Sequence, residues 1–203
     1  MNDEVNDIDK LTAQAKHALI EGNIIRLVSL YQRMEELGVW QVTARIGELY
    51  ETGYRHRMHI FDRNLDEAVK WYRKAVFESD DPLAHLGLGR IYFQGSDSVK
   101  KDLIKARVHL RKAYDNNLAE AGIYLGLMSM FGAGVEKNMA EAKQFFYSAA
   151  LNGYPLGYRF LAKIEMLAGN FLGAVKAQGK AMGLTIKLKI QDRNHPNLWK
   201  MPK

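Results

Sequence analysis

The stretch FGAGVEKN, Phe131 to Asn138, admits two readings, a glycine loop that cradles a phosphate or a turn between two helices. A phosphate loop follows a strand of β-branched residues and carries a Lys-Ser or Lys-Thr pair after its last glycine. Neither feature flanks this stretch. It is preceded by LGLMSM and followed by EAKQFFYSA, two segments whose apolar and small residues recur at three and four positions. That is the period of one helix face. Gly132 then stands where the first helix stops, in the place a left-handed cap needs glycine. Gly134 permits the turn, and Asn138 is suited to begin the next helix. The glycines are punctuation inside a helical hairpin.

The same punctuation recurs along the chain. IGELYETG (Ile46 to Gly53), LGRIYFQG (Leu88 to Gly95) and LGLMSMFG (Leu125 to Gly132) share a small-residue pattern at intervals of 42 and 37 residues, and a degenerate copy, LAKIEMLA, starts 36 residues later at Leu161. Each is followed by a second segment: EAVKWYRKA, KARVHLRKA, EAKQFFYSA and GAVKAQGKA. Two sub-motifs in common register over four copies define a repeat array, and periods of this size mark solenoids. Gly47, Gly89 and Gly126 fall inside the first helix of each hairpin, where glycine costs about 1 kcal/mol against alanine. They are expected where a partner helix approaches closely. Asp66, Asp102 and Asn138 are expected as caps or first-turn acids of the second helices.

LGLMSMFGAGVEKNMAEAKQFFYSAALNG resembles a Sel-1-like repeat, a relative of the tetratricopeptide repeat. The pattern is matched at Ala121, Leu125, Gly126, Gly132, Gly134, Val135, Ala142 and Ala149, and in the preceding copy at Ala84, Leu88, Gly89, Tyr92, Gly95, Asp102, Ala106 and Ala113. The resemblance implies an all-α fold, an α-solenoid of four to five antiparallel helical hairpins whose first helices line a concave groove. The expected organisation is an N-terminal capping hairpin over residues 1–40 and repeats over about 41–82, 83–119, 120–155 and 156–183. A basic cap or tail follows over 184–203. Ser129 and Glu165 depart from the pattern where tyrosine is usual, and Ala162 replaces a glycine.

Composition narrows the function classes. Hydrophobic residues make up 47% of the 203, with four prolines and no cysteine. These values fit an ordered helical protein and exclude disulfides, thiolate nucleophiles and thiolate metal sites. The N-terminus, MNDEVNDIDK, lacks the basic-then-apolar order of a secretory signal, so a cytoplasmic location is the expectation. The formal charge of +6 is uneven: from Lys176 to Lys203 seven Lys or Arg face one acid, Asp192, and the rest of the chain is neutral overall. A uniformly basic nucleic-acid surface is therefore not indicated, while a basic end that is either solubilising or nucleic-acid-binding remains open.

No catalytic constellation emerges. In YRHRMHIF, an inserted loop, His56 and His59 supply at most half of a zinc site, and Arg55 and Arg57 oppose a cation. The loop Arg55, His56, Arg57 and His59 is expected to be structural or to touch a partner. His17, His85, His109 and His195 are scattered, and His109 is expected to be a packing residue. No cofactor or metal is expected, and the chain is not expected to be an enzyme. Positions one and four after each repeat glycine share a face. They are Glu48 and Glu51, Arg90 and Phe93, Leu127 and Met130, and Lys163 and Met166. They are candidates to line the groove for a protein or peptide, with ordinary packing between repeats as the competing reading. The repeat class implies a protein-binding adaptor or regulator of bacterial type, or an immunity protein that neutralises a toxin. Self-association through the end repeats is a further option. LTIKLKI, residues 184–190, alternates with a strand period but is short enough to be a closing helix.

Overall fold

The computed structural model describes residues 2–56 and 59–191. It is an all-α solenoid of helical repeats whose chain divides into two compact units, Met1–His109 and Leu110–Lys203.

The first unit opens with α1 (Asn2–Glu21) and α2 (Ile24–Glu36), the hairpin expected at the N-terminus. Asn23 begins α2 by accepting a hydrogen bond from the Arg26 backbone N–H. Its apolar stripe, Ile24, Leu27, Val28 and Met34, is buried with Leu11, Ala15 and Ala18 of α1. A 3-10 turn (Trp40–Val42) leads into α3 (Thr43–Thr52). The inserted loop is a small antiparallel hairpin, β1 (Tyr54–His56) and β2 (His59–Phe61), in register Tyr54 with Phe61 and His56 with His59. Phe61 packs on Tyr50 at 4.9 Å between ring centroids, which ties the insertion to the core. Next come α4 (Leu65–Ser79), α5 (Pro82–Gln94) and the first half of α6 (Leu103–Asp115). Asn64 caps α4, so Asp66 is a first-turn acid, whereas Asp102 accepts from the Lys105 N–H at the start of α6.

The second unit holds the rest of α6, then α7 (Glu120–Phe131), α8 (Met139–Leu151), α9 (Pro155–Leu167) and α10 (Phe171–Gln191). FGAGVEKN behaves as read: Gly132 ends α7 in the left-handed region at φ 69°, Gly134 turns at φ 72°, and Asn138 caps α8. Two of the repeat glycines, Gly47 and Gly126, are where an aromatic side chain meets a helix backbone. A Cβ at Gly126 would lie 2.6 Å from the Phe146 ring, and one at Gly47 would lie 2.7 Å from Tyr72. In the first repeat the ring is the second aromatic of WY, for Tyr72 is fully buried and Trp71 only half-buried.

LTIKLKI is helical and continues α10 to Gln191; Thr185 Oγ1 donates to the Ala181 carbonyl one turn back. Alternation spreads its residues around the helix rather than on one sheet face. Leu184 and Leu188 are at least half-buried, while Ile186 and Ile190 point outward. A strand added to a partner through this segment is thereby ruled out in this fold. No helix among the described residues is long and apolar enough to cross a membrane.

Candidate protein-binding surfaces

The proposed groove face can be followed residue by residue. In the first unit Arg90 of α5 clamps Glu51 of α3, with Nε 2.9 Å from Oε1 and an Nη 2.6 Å from Oε2. Tyr72 donates its hydroxyl to the same Oε2 at 2.6 Å. Both charged side chains are nearly buried, at 8% and 12% exposure. The cause is positional: the residues one and four after the glycine point at the first helix of the neighbouring repeat, here α3 against α5. Glu51 and Arg90 therefore hold repeats together and are not open to a ligand. Burial raises the Tyr72 pKa well above its ordinary value, with the Glu51 charge adding to the effect. Glu48, half-buried and paired with Arg45 at 2.9 Å, and half-buried Phe93 keep part of their surface open.

In the second unit the series divides again. Leu127 and Met130 are interior, at 9% and 1% exposure, and α7 is buried from Glu120 to Met130. The competing reading of these two as core is the one the structure carries. Lys163 and Met166 on α9 are exposed, with the Lys163 ammonium 5.6 Å from the Phe131 ring centroid. Ser129, which replaces the motif tyrosine, is fully buried and donates to Glu141 at 2.5 Å. Across α8 and α9, Lys143 pairs with Glu165 at 2.7 Å and holds that carboxyl below its usual range, with help from Asn170.

Of the inserted loop, Arg55 is exposed, and His56 and His59 oppose one another in the backbone register; Arg57 lies outside the described residues. Two of the histidines that are scattered in sequence do meet. His85 Nδ1 lies 2.7 Å from His109 Nδ1, and His85 Nε2 lies 2.8 Å from Asp80. His109 also stacks on Tyr92. This chain of side chains joins α6 through α5 to the α4–α5 turn, and a spacing of 24 residues hid it from the sequence. Among the described residues no three His, Asp or Glu side chains gather as a metal site.

A surface not anticipated from the sequence is an open cleft of about 1120 Å³ in the first unit. It is walled by α4, the 95–102 connection and the start of α6. Five cations line it, Lys70, Arg73, Lys100, Lys101 and Lys105, against the acids Asp66 and Asp102. Arg73 donates to the Tyr92 hydroxyl at 2.8 Å, Lys70 is held by Glu67, and Lys105 by Asp102 at 3.2 Å. The Lys105 backbone N–H lowers the Asp102 pKa most, burial opposes it, and the Lys105 side chain adds to the lowering. Lys100 and Lys101 stand exposed at the rim. The cations come from separate turns and one loop, so the excess positive charge was invisible in a body that sums to zero.

Comparison with known proteins fits this architecture. The Sel1 repeat pattern matches residues 43–76, 82–118 and 119–154. Chitin synthase regulatory factor 3 of Schizosaccharomyces pombe is 30% identical over 131 residues, 64% of this chain. The chain spans only 14% of that relative's length. The fold is similar to a Sel1 repeat protein from Oxalobacter formigenes (TM-score 0.72, 22% identity, 93% of this chain and 78% of that one). It is also similar to the immunity protein Pa5087 from Pseudomonas aeruginosa (TM-score 0.56, 19% identity, 85% and 66%).

Proposed function

The chain belongs to the Sel1 repeat family, and from that premise we propose that it is a non-catalytic adaptor or regulator that binds an acidic segment of a protein partner. Sel1 repeats are generally protein-interaction scaffolds. The observation that carries the finer reading is the cationic cleft, along which Lys70, Arg73, Lys100, Lys101 and Lys105 are all exposed. An extended acidic peptide complements such a surface, because a charged cleft steers and registers an oppositely charged ligand. Of the groove residues, Glu48 and Phe93 in the first unit and Lys163 and Met166 in the second keep surface for contact. The regulatory name of the fission-yeast relative supports an adaptor role. Likeness to an immunity protein supports toxin neutralisation only through shared fold.

The test is a pull-down from lysate with the full chain, the Lys100→Glu/Lys101→Glu variant and a chain ending at Gln191, each with and without nuclease. Expected is one acidic protein that is kept by the wild type and the shortened chain and lost by the charge-reversed variant, with its melting temperature unchanged. Retention by the reversed variant would sink the cleft reading. Nuclease-sensitive retention lost on shortening would move the function to nucleic acid and the basic tail. A single toxin bound tightly would select the immunity role.

A further inference from the structure

The outward faces of the first and last described helices differ in polarity. Among the described side chains of α1, Asp9, Lys10, Gln14, Lys16 and His17 are exposed, and the large apolar Leu19 and Ile20 are exposed at its last turn. The outer face of α10 is apolar. Phe171, Val175, Met182, Ile186 and Ile190 are 50–79% exposed, and Leu172 beside them is 67% exposed. Gly179 lies on the same face with open space where a Cβ would stand. The opposite face of α10, with Ala181 and Leu188, is the buried one.

The spacing of this stripe identifies what covers it. Residues 171, 175, 179, 182, 186 and 190 follow one another at steps of 4, 4, 3, 4 and 4, a sequence that reads the same in both directions. We infer that α10 is a self-association surface, pairing antiparallel with α10 of a second copy about a two-fold axis beside residues 180 and 181. A two-fold interface requires such a self-complementary patch. In this register Phe171 meets Ile190, Val175 meets Ile186, and Met182 enters the hollow at Gly179. The helix has no acid from Phe171 to Gln191, and of its four lysines Lys180, nearest the axis, is turned over the Tyr158 ring at 5.7 Å. Lys189 lies over Leu172, Lys187 over Ala174 and Lys176 beside Thr185, where their aliphatic stems add apolar cover. A parallel pairing would instead set each lysine against its twin. Six side chains exposing on the order of 100 Å² each give roughly 600 Å² per copy, which the lysine stems raise towards the roughly 800 Å² per partner of a stable interface. The described part of the outer face of α1, from Asp7 to His17, is mainly polar and offers no such match.

This inference does not depend on the cleft. Sedimentation equilibrium of the full chain is expected to show a reversible dimer that tightens as salt rises, because salt screens the like charges and leaves the apolar contact. Met182→Glu is expected to weaken association at least 100-fold without lowering the melting temperature. Gly179→Leu fills the hollow. It is expected to raise the melting temperature, as leucine favours helix over glycine, while weakening the dimer. Since the chain has no cysteine, Val175→Cys mixed with Ile186→Cys is expected to cross-link as the mixed pair in preference to either like pair. A monomer at every concentration, a dimer that survives both substitutions, or association that weakens with salt would each overturn the proposal.

Discussion

The first and third repeats place the same glycine against the same ring position and finish the contact in opposite ways. At Gly47 the ring is Tyr72, and its hydroxyl reaches a carboxylate that is itself clamped by Arg90. At Gly126 the ring is Phe146, stacked on Phe160 at 4.8 Å between centroids. The residue at the repeat position of Glu51 is there Met130, which offers no carboxylate to a phenol. Backbone geometry is thus kept by the fold while chemistry is free to be polar or apolar, provided each contact is internally complete. A buried polar contact demands every partner; an apolar one demands only volume.

Removing one partner should expose that difference most strongly. Arg90→Met leaves the Glu51 carboxylate in a nearly closed site and is expected to cost about 3–5 kcal/mol in urea unfolding. Adding Glu51→Leu together with Tyr72→Phe, which removes the hydroxyl that would otherwise lose its acceptor, should recover most of that loss, because replacing every member of a buried network is often neutral. A triple variant no more stable than Arg90→Met would mean that Glu51 is not held by these partners. The converse swap carries a smaller effect. Phe146→Tyr places a hydroxyl where Met130 offers no good acceptor, and an unpaired buried hydroxyl is expected to cost about 1–3 kcal/mol. A loss below a few tenths would show that the third repeat has a hidden acceptor or water.

Much of this fold was legible because it is written in glycine and alanine. The positions at which a helix must stop or let a ring approach tolerate few residues, so Gly132, Asn138 and Gly126 could be assigned their tasks from spacing alone. The helical period could not say which neighbour a face meets. By period alone Glu51 and Arg90 share a face that suits a ligand, whereas their partners are each other, 39 residues apart. The same period fits Leu127 and Met130 to groove and core alike. The cleft was missed because Lys70, Arg73, Lys100, Lys101 and Lys105 converge only after α4 and α6 fold beside one connection. The α10 stripe was hidden by a strand-like alternation that divides between two helix faces.

The mildest expected change is also the one that isolates the polar contact. Tyr72→Phe keeps the ring against Gly47 and deletes only the hydroxyl while Arg90 still holds the carboxylate, so it is expected to cost about 1.5 kcal/mol at neutral pH, the low end for a hydrogen bond to a charged group. The sign of its pH dependence follows from the raised Tyr72 pKa, which burial causes first and Glu51 second. The folded state holds the phenol proton more tightly than the unfolded chain does. The hydroxyl's contribution is therefore complete below the ordinary tyrosine value, about pH 10. It is lost as pH rises from there through the folded value, since only the unfolded chain gains by ionising. Wild type and Tyr72→Phe should accordingly differ in unfolding free energy at about pH 7 to 9, and the gap should close as alkali is added. Phe146→Tyr puts a new phenol in the apolar repeat and should acquire an alkaline sensitivity of its own. If the gap between wild type and Tyr72→Phe stays constant through about pH 11, the hydroxyl is not closed off from water, and the two repeats are more alike than their contacts indicate.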